Sequence, residues 1–129
     1  MFFYSKLAVL AVVLAVAGCN AVPILNVKDA AVTSSSGKAM SHAEVRSAIL
    51  RAGAALGWQM KDEGSNMLVG TFLLRDHSAV VEIPYSSTAY SIKYRSSTNL
   101  RESGETIHKN YNGWIQDLTR RINAQLTAS

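Results

Sequence analysis

Ser78-Ala79-Val80-Val81-Glu82-Ile83-Pro84-Tyr85, the break Ser86-Ser87-Thr88, and then Ala89-Tyr90-Ser91-Ile92-Lys93-Tyr94-Arg95-Ser96 decide the fold of this chain. The second run alternates: Tyr90, Ile92 and Tyr94 share one face, and Ser91, Lys93 and Arg95 share the other. That is the period-two signature of a half-buried strand. Opposing Tyr85 and Tyr90 across the break sets Ile83 against Ile92 and Val81 against Tyr94. The same pairing sets Glu82 against Lys93 on the other face, a favourable cross-strand charge pair. A slip of one residue would turn every apolar side chain to the wrong side, so the register is well specified.

Two more strand-like runs precede this pair. Met67 to Arg75 is rich in large apolar residues and is closed by Asp76-His77. Trp58 to Asp62 is shorter and is closed by the Glu63-Gly64-Ser65-Asn66 turn. Pairing Arg75 with Ser78 puts Leu74 opposite Ala79 and Phe72 opposite Val81. One face then collects Leu68, Phe72, Leu74, Ala79, Val81, Ile83, Tyr85, Tyr90, Ile92 and Tyr94, with Gly70 among them to admit a helix backbone. The opposite face carries Met67, Val69, Leu73 and Val80, which is more apolar than solvent exposure requires. Either the 22–27 segment or a partner is expected to cover it.

A helix is expected on each side of the meander in sequence. Ser41-His42-Ala43-Glu44 fits a capping box, and Val45, Ala48, Ile49, Ala52 and Leu56 follow on one helical face. Gly57 is placed to end that helix, over about 41–56. Ile107, Tyr111, Trp114, Ile115, Leu118, Ile122 and Leu126 mark a second one, over about 106–126, after a loop at 97–106. Gly113 inside it costs about 1 kcal/mol relative to alanine. The fold class is α+β: helix, four-stranded antiparallel meander, helix, with both helices on one sheet face. Val22, Ile24, Leu25 and Val27 are apolar enough to add an N-terminal edge strand, the position that Pro23 tolerates. Thr33 to Lys38 is serine-rich with a glycine and reads as a flexible linker.

The chain begins with Lys6 followed by an unbroken apolar run from Leu7 to Ala17 and then Gly18-Cys19. Spanning a bilayer takes about 20 apolar residues, so the run is too short and reads instead as a signal peptide. Val16-Ala17-Gly18-Cys19 resembles the lipobox of bacterial lipoproteins: an aliphatic residue, two small residues, then cysteine. The resemblance implies a diacylglycerol on the Cys19 thiol, cleavage before Cys19 and acylation of its new amino group. It also divides the chain into a signal peptide at 1–18, a lipidated N-terminus and linker at 19–40, and one domain at 41–129. Asn20, where aspartate commonly marks inner-membrane retention in that family, implies the outer membrane, with the protein facing the periplasm. Removal of 1–18 leaves twelve Lys+Arg against nine Asp+Glu, a formal +3 that is far below nucleic-acid-binding density. Cys19 is the only cysteine, so packing rather than disulfides must hold the domain.

Little else in the chain points to chemistry. His42, His77 and His108 share no metal-ligand spacing, and the serines lie in turns without a nucleophile elbow. No cofactor, metal or enzymatic activity is expected. Lys93 and Arg95 alternate away from Tyr90 and Tyr94, which argues against nucleic-acid recognition on one sheet face. Gly57-Trp58, Tyr90 to Tyr94 and Ile107 to Leu118 resemble a set of small Gram-negative envelope lipoproteins with no assigned activity. The expectation is therefore a lipid-anchored binding or assembly module that touches an envelope protein. Val69 and Val80 on the apolar sheet face, and His108 and Tyr111 at the start of the last helix, are its candidate contact residues. The alternative is a lipoprotein that binds an apolar or anionic envelope molecule.

Overall fold

The fold is that of a computed structural model, which describes residues 20–129. Cys19 and the expected signal peptide lie outside the described residues. In order, the chain forms β1 (Ala21–Pro23), β2 (Val27–Ala31), α1 (His42–Leu56), β3 (Gln59–Asp62) and β4 (Met67–Leu74). It continues with β5 (His77–Pro84), β6 (Ala89–Thr98), β7 (Thr106–His108) and α2 (Lys109–Thr127). The sheet has five strands in the order β2-β6-β5-β4-β3, all antiparallel, and β1 pairs separately with β7. This is the expected α+β meander between two helices; an N-terminal edge strand is added too, but by Val27–Ala31 rather than by 22–27, because Ala21–Pro23 pairs with β7 instead.

Local chemistry explains α1. The Ser41 hydroxyl accepts from the Glu44 amide at 3.1 Å, and Glu44 Oε1 accepts from the Ser41 amide at 3.0 Å. Those bonds hold the Glu44 carboxyl below its usual range, chiefly through the Ser41 amide. Gly57 ends the helix at φ 87°, a left-handed conformation suited to glycine. Val45, Ala48, Ile49 and Ala52 of α1 and Ile115, Leu118 and Ile122 of α2 are buried in one cluster with Leu68, Ala79, Val81, Ile83 and Ile92 of the sheet. Both helices therefore cover a single sheet face. Each fully buried aliphatic side chain there stabilises the fold by about 1.5–3 kcal/mol.

Several details differ from the sequence expectation. Leu74 faces His77 and Phe72 faces Ala79, not Ala79 and Val81, because Arg75-Asp76 alone form the turn and Arg75 takes φ 57°. The slip is two residues, so every side chain keeps its face. Between β5 and β6 the expected pairs Val81–Tyr94 and Glu82–Lys93 are present, but Arg95 is then bulged out, so that Val80 faces Ser96. Gly70 admits no helix backbone; a Cβ there would lie 3.0 Å from Met60 Sδ and 3.2 Å from Trp58 Cε3.

The last helix starts at Lys109, not 106, because Thr106–His108 is drawn into the β1–β7 ladder. Residues 20–31 are part of the folded unit rather than a tether. Asn112 fastens them: its Oδ1 accepts from the Leu25 amide at 3.0 Å and its Nδ2 donates to the Pro23 carbonyl at 2.9 Å. Ile24, Leu25 and Val27 pack against the helix-side core and leave the other sheet face uncovered.

Candidate functional site

An antiparallel meander returns alternate connections to the same end of the sheet. The Arg75-Asp76 turn after β4 and the loop after β6 therefore meet, and hydrogen bonds tie them together. His77 Nδ1 donates to the Asn99 carbonyl at 2.9 Å, and Asn99 Nδ2 donates to the Asp76 carbonyl at 2.7 Å. The start of α2 joins them, because the His108 amide donates to the Leu100 carbonyl at 2.8 Å and the Lys109 amide to the Asn20 carbonyl at 3.0 Å. His108 caps the helix through Nδ1, which accepts from the Asn110 amide at 3.2 Å. Its ring proton therefore sits on Nε2.

Between these pieces lies a cleft of about 500 Å³. Arg75, His77, Asn99, Arg101, His108 and Asn110 form its polar wall, and Asn20, Leu74, Leu100 and Trp114 complete it. No carboxylate lines it among the described residues. Asp76 and Glu102 adjoin the two arginines in sequence, and neither lines the cleft, although the Asp76 carboxylate approaches His77 of its wall. Asp76 is 78% exposed, 3.5 Å from His77 Nε2, and Glu102 Oε1 accepts from the Gly104 amide at 2.8 Å. Among the described residues neither Arg75 nor Arg101 is paired with a carboxylate.

The backbone is also unusual at this place. Arg75, Asn99 and Arg101 take φ of 57°, 59° and 54°, and the only other positive-φ non-glycine among the described residues is Asp29. Such conformations cost of order 1 kcal/mol or more for residues other than glycine or asparagine, and they cluster at functional sites. Trp114 borders the cleft, half-buried, with its ring centroid 5.0 Å from Phe72, which in turn lies 5.1 Å from Trp58. The cleft is thus cationic on one side and aromatic on the other, a combination suited to an anion attached to apolar substance.

The sequence candidates do not converge. Val69 and Val80 lie on the uncovered sheet face, where Val69 pairs with Glu82 and Val80 with Thr71, so the two valines are diagonal neighbours. Met67, Val69, Thr71 and Val80 are half-buried by their neighbours alone, and Leu73 is 59% exposed. His108 belongs to the cleft instead. Tyr111 is fully buried, edge-on to Tyr94 at 5.5 Å, and is a core residue rather than part of an exposed contact corner. Burial pushes its phenol well above the ordinary tyrosine range. Its hydroxyl has no hydrogen-bond partner among the described residues.

Sequence reading missed Arg75, His77, Asn99 and Arg101, which looked like separate turn residues. Chain direction carries the signal: β4 and β6 run the same way, so the residues after each must share one end. Asn20 also lines the cleft, and its neighbour in the chain is Cys19. Among the described residues, no cluster of three or more His, Cys, Asp or Glu could hold a metal ion, and no helix is long and apolar enough to cross a membrane. The chain matches no family model, no curated protein and no solved structure.

Proposed function

We propose that the chain is a lipid-anchored, periplasm-facing protein of the outer membrane whose domain acts as a binding or assembly module. The observation that carries this reading is the uncovered face of the five-stranded sheet, which carries Leu73, 59% exposed, and the half-buried Met67, Val69 and Val80. Apolar residues on an uncovered sheet face, set among polar ones such as Thr71, Ser78 and Glu82, suit a protein partner with a mixed surface. Anchoring rests on the apolar run from Leu7 to Ala17 that ends in the Val16-Ala17-Gly18-Cys19 motif.

Photo-crosslinking residues introduced at Val69 or Val80 in cells test the reading. The same adduct is expected from both positions, and Leu73→Asp should abolish it. Absence of an adduct at either position refutes the assembly role. Cys19→Ala should abolish lipid labelling, and normal maturation of that variant would refute anchoring.

A second reading has its own observation. The cleft with Arg75 and Arg101 unpaired suits an anionic ligand, as expected of a lipoprotein that binds an anionic envelope molecule.

A further inference from the structure

We infer that the Arg75–Arg101 cleft seats against the membrane that holds the protein and takes the anionic headgroups of its phospholipids. The inference rests on lipidation of Cys19, and its geometry is independent of the apolar sheet face. Asn20, the first described residue, lines the cleft, and its carbonyl accepts from the Lys109 amide at 3.0 Å. Cys19 is the next residue in the chain before Asn20. A cleft of about 500 Å³ is a space roughly 10 Å across. Asn20 and both arginines line this one cleft, so a lipid surface seated on it would meet both guanidinium groups.

Charge and polarity agree with that occupant. Arg75 and Arg101 have no carboxylate partner among the described residues, and the forked guanidinium matches phosphate. Leu74, 45% exposed, and the half-buried Trp114 stand beside them. An indole next to cations is the composition of a membrane interface, where an amphipathic ring and a charged head settle at headgroup depth. A soluble anion would account for the arginines but not for the exposed leucine. Both arginines hold left-handed backbone, where glycine would be easier, and both line the cleft beside Asn20.

The test uses the mature protein in vesicles, after its mass has shown the lipid on Cys19. A mass without lipid would remove the anchoring reading and this inference with it. Trp58→Phe leaves Trp114 as the sole tryptophan, and vesicles of phosphatidylcholine alone or mixed with phosphatidylglycerol carry a headgroup-linked quencher. Quenching of Trp114 should be strong with phosphatidylglycerol, fall with salt, and weaken in Arg75→Asn and Arg101→Asn. The docked-to-undocked ratio is expected to fall about fivefold per arginine, since each basic residue contributes about that factor at an anionic surface. Asparagine tolerates the left-handed backbone, so these variants should keep the fold. Hydrogen exchange at 75–77 and 99–101 in the unsubstituted protein should slow on the same vesicles. Equal quenching in both lipids, or unchanged quenching in the double variant with Cys19 lipidated, would overturn the inference. So would displacement by inorganic phosphate at constant ionic strength, because the cleft would then be a site for a soluble anion.

Discussion

Tyr111→Phe should stabilise the domain, although it removes a polar group from one of the largest buried side chains. The Tyr111 ring is fully buried and meets Tyr94 edge-on, contacts that phenylalanine keeps. Its hydroxyl is buried without a hydrogen-bond partner among the described residues. A buried hydroxyl without a partner costs about 1–3 kcal/mol relative to water, and the substitution removes that cost. Against it stands the small void left by one oxygen, a few tenths of a kcal/mol at about 24 cal/mol per Å³. The net gain is about 1–2 kcal/mol, which for a domain of this size raises Tm by about 4–8 °C. Urea unfolding followed by far-ultraviolet circular dichroism should show a higher midpoint with an unchanged m value. A loss of 1 kcal/mol or more would refute the reasoning, because it would mean that the hydroxyl holds a hydrogen bond in the native state. The variant should also leave crosslinking at Val69 unchanged, since Tyr111 lies on the covered side of the sheet.

Gly113→Ala should add about 0.5–1 kcal/mol by thermal unfolding, because a Cβ at this helical position meets nothing within 4 Å and alanine is the better helix former. Asn112→Ala should cost about 2–3 kcal/mol through the two bonds to Pro23 and Leu25, and native-state hydrogen exchange should show residues 21–25 opening before the rest. At high pH the buried tyrosines set the limit. Burial pushes the Tyr90 phenol up to about 12, and its hydroxyl donates to Asn123 Oδ1 at 2.6 Å. A raised native value means that the stabilisation is complete below the unfolded value near 10 and is lost as pH rises from about 10 to 12. That loss amounts to about 2–3 kcal/mol from Tyr90, and tyrosinate absorbance should rise in step with unfolding rather than before it.

What could be read from the sequence was local or periodic. The capping box at Ser41 and Glu44 and the stop at Gly57 depend on residues three or four apart, so α1 was legible to within a residue. The Glu82–Lys93 pairing followed from alternation alone. The β4–β5 turn was misplaced because arginine at φ 57° has no sequence signature, whereas glycine or asparagine there would have announced it. Residues 106–108 looked helical because Ile107 stands four positions before Tyr111, a spacing that helix and strand both permit. Their true partner is β1, some 85 residues away in sequence, and pairing at that distance overrides local pattern. The cleft was illegible for the same reason. Its walls come from the start of the fold, two loops and a helix cap, and only the topology assembles them.

The position of the β1–β7 ladder has a consequence for reach. Were residues 20–40 a flexible coil, about twenty residues would let the domain wander some 25 Å from its anchor. With Ala21–Pro23 paired to Thr106–His108, the first residues of that span are held in the fold, and only Asn20 separates Cys19, the proposed anchor, from the β1–β7 ladder in sequence. On the proposed anchoring, the domain's excursion from its lipid would be shorter than such a coil permits. Strands of eight residues such as β4 and β5 extend about 26 Å, which on the proposed anchoring sets the scale of the layer that the sheet face would occupy. A partner confined to the same membrane would share that thin layer and meet the face at a high effective concentration, whereas one fixed deeper in the compartment would have to come down to it.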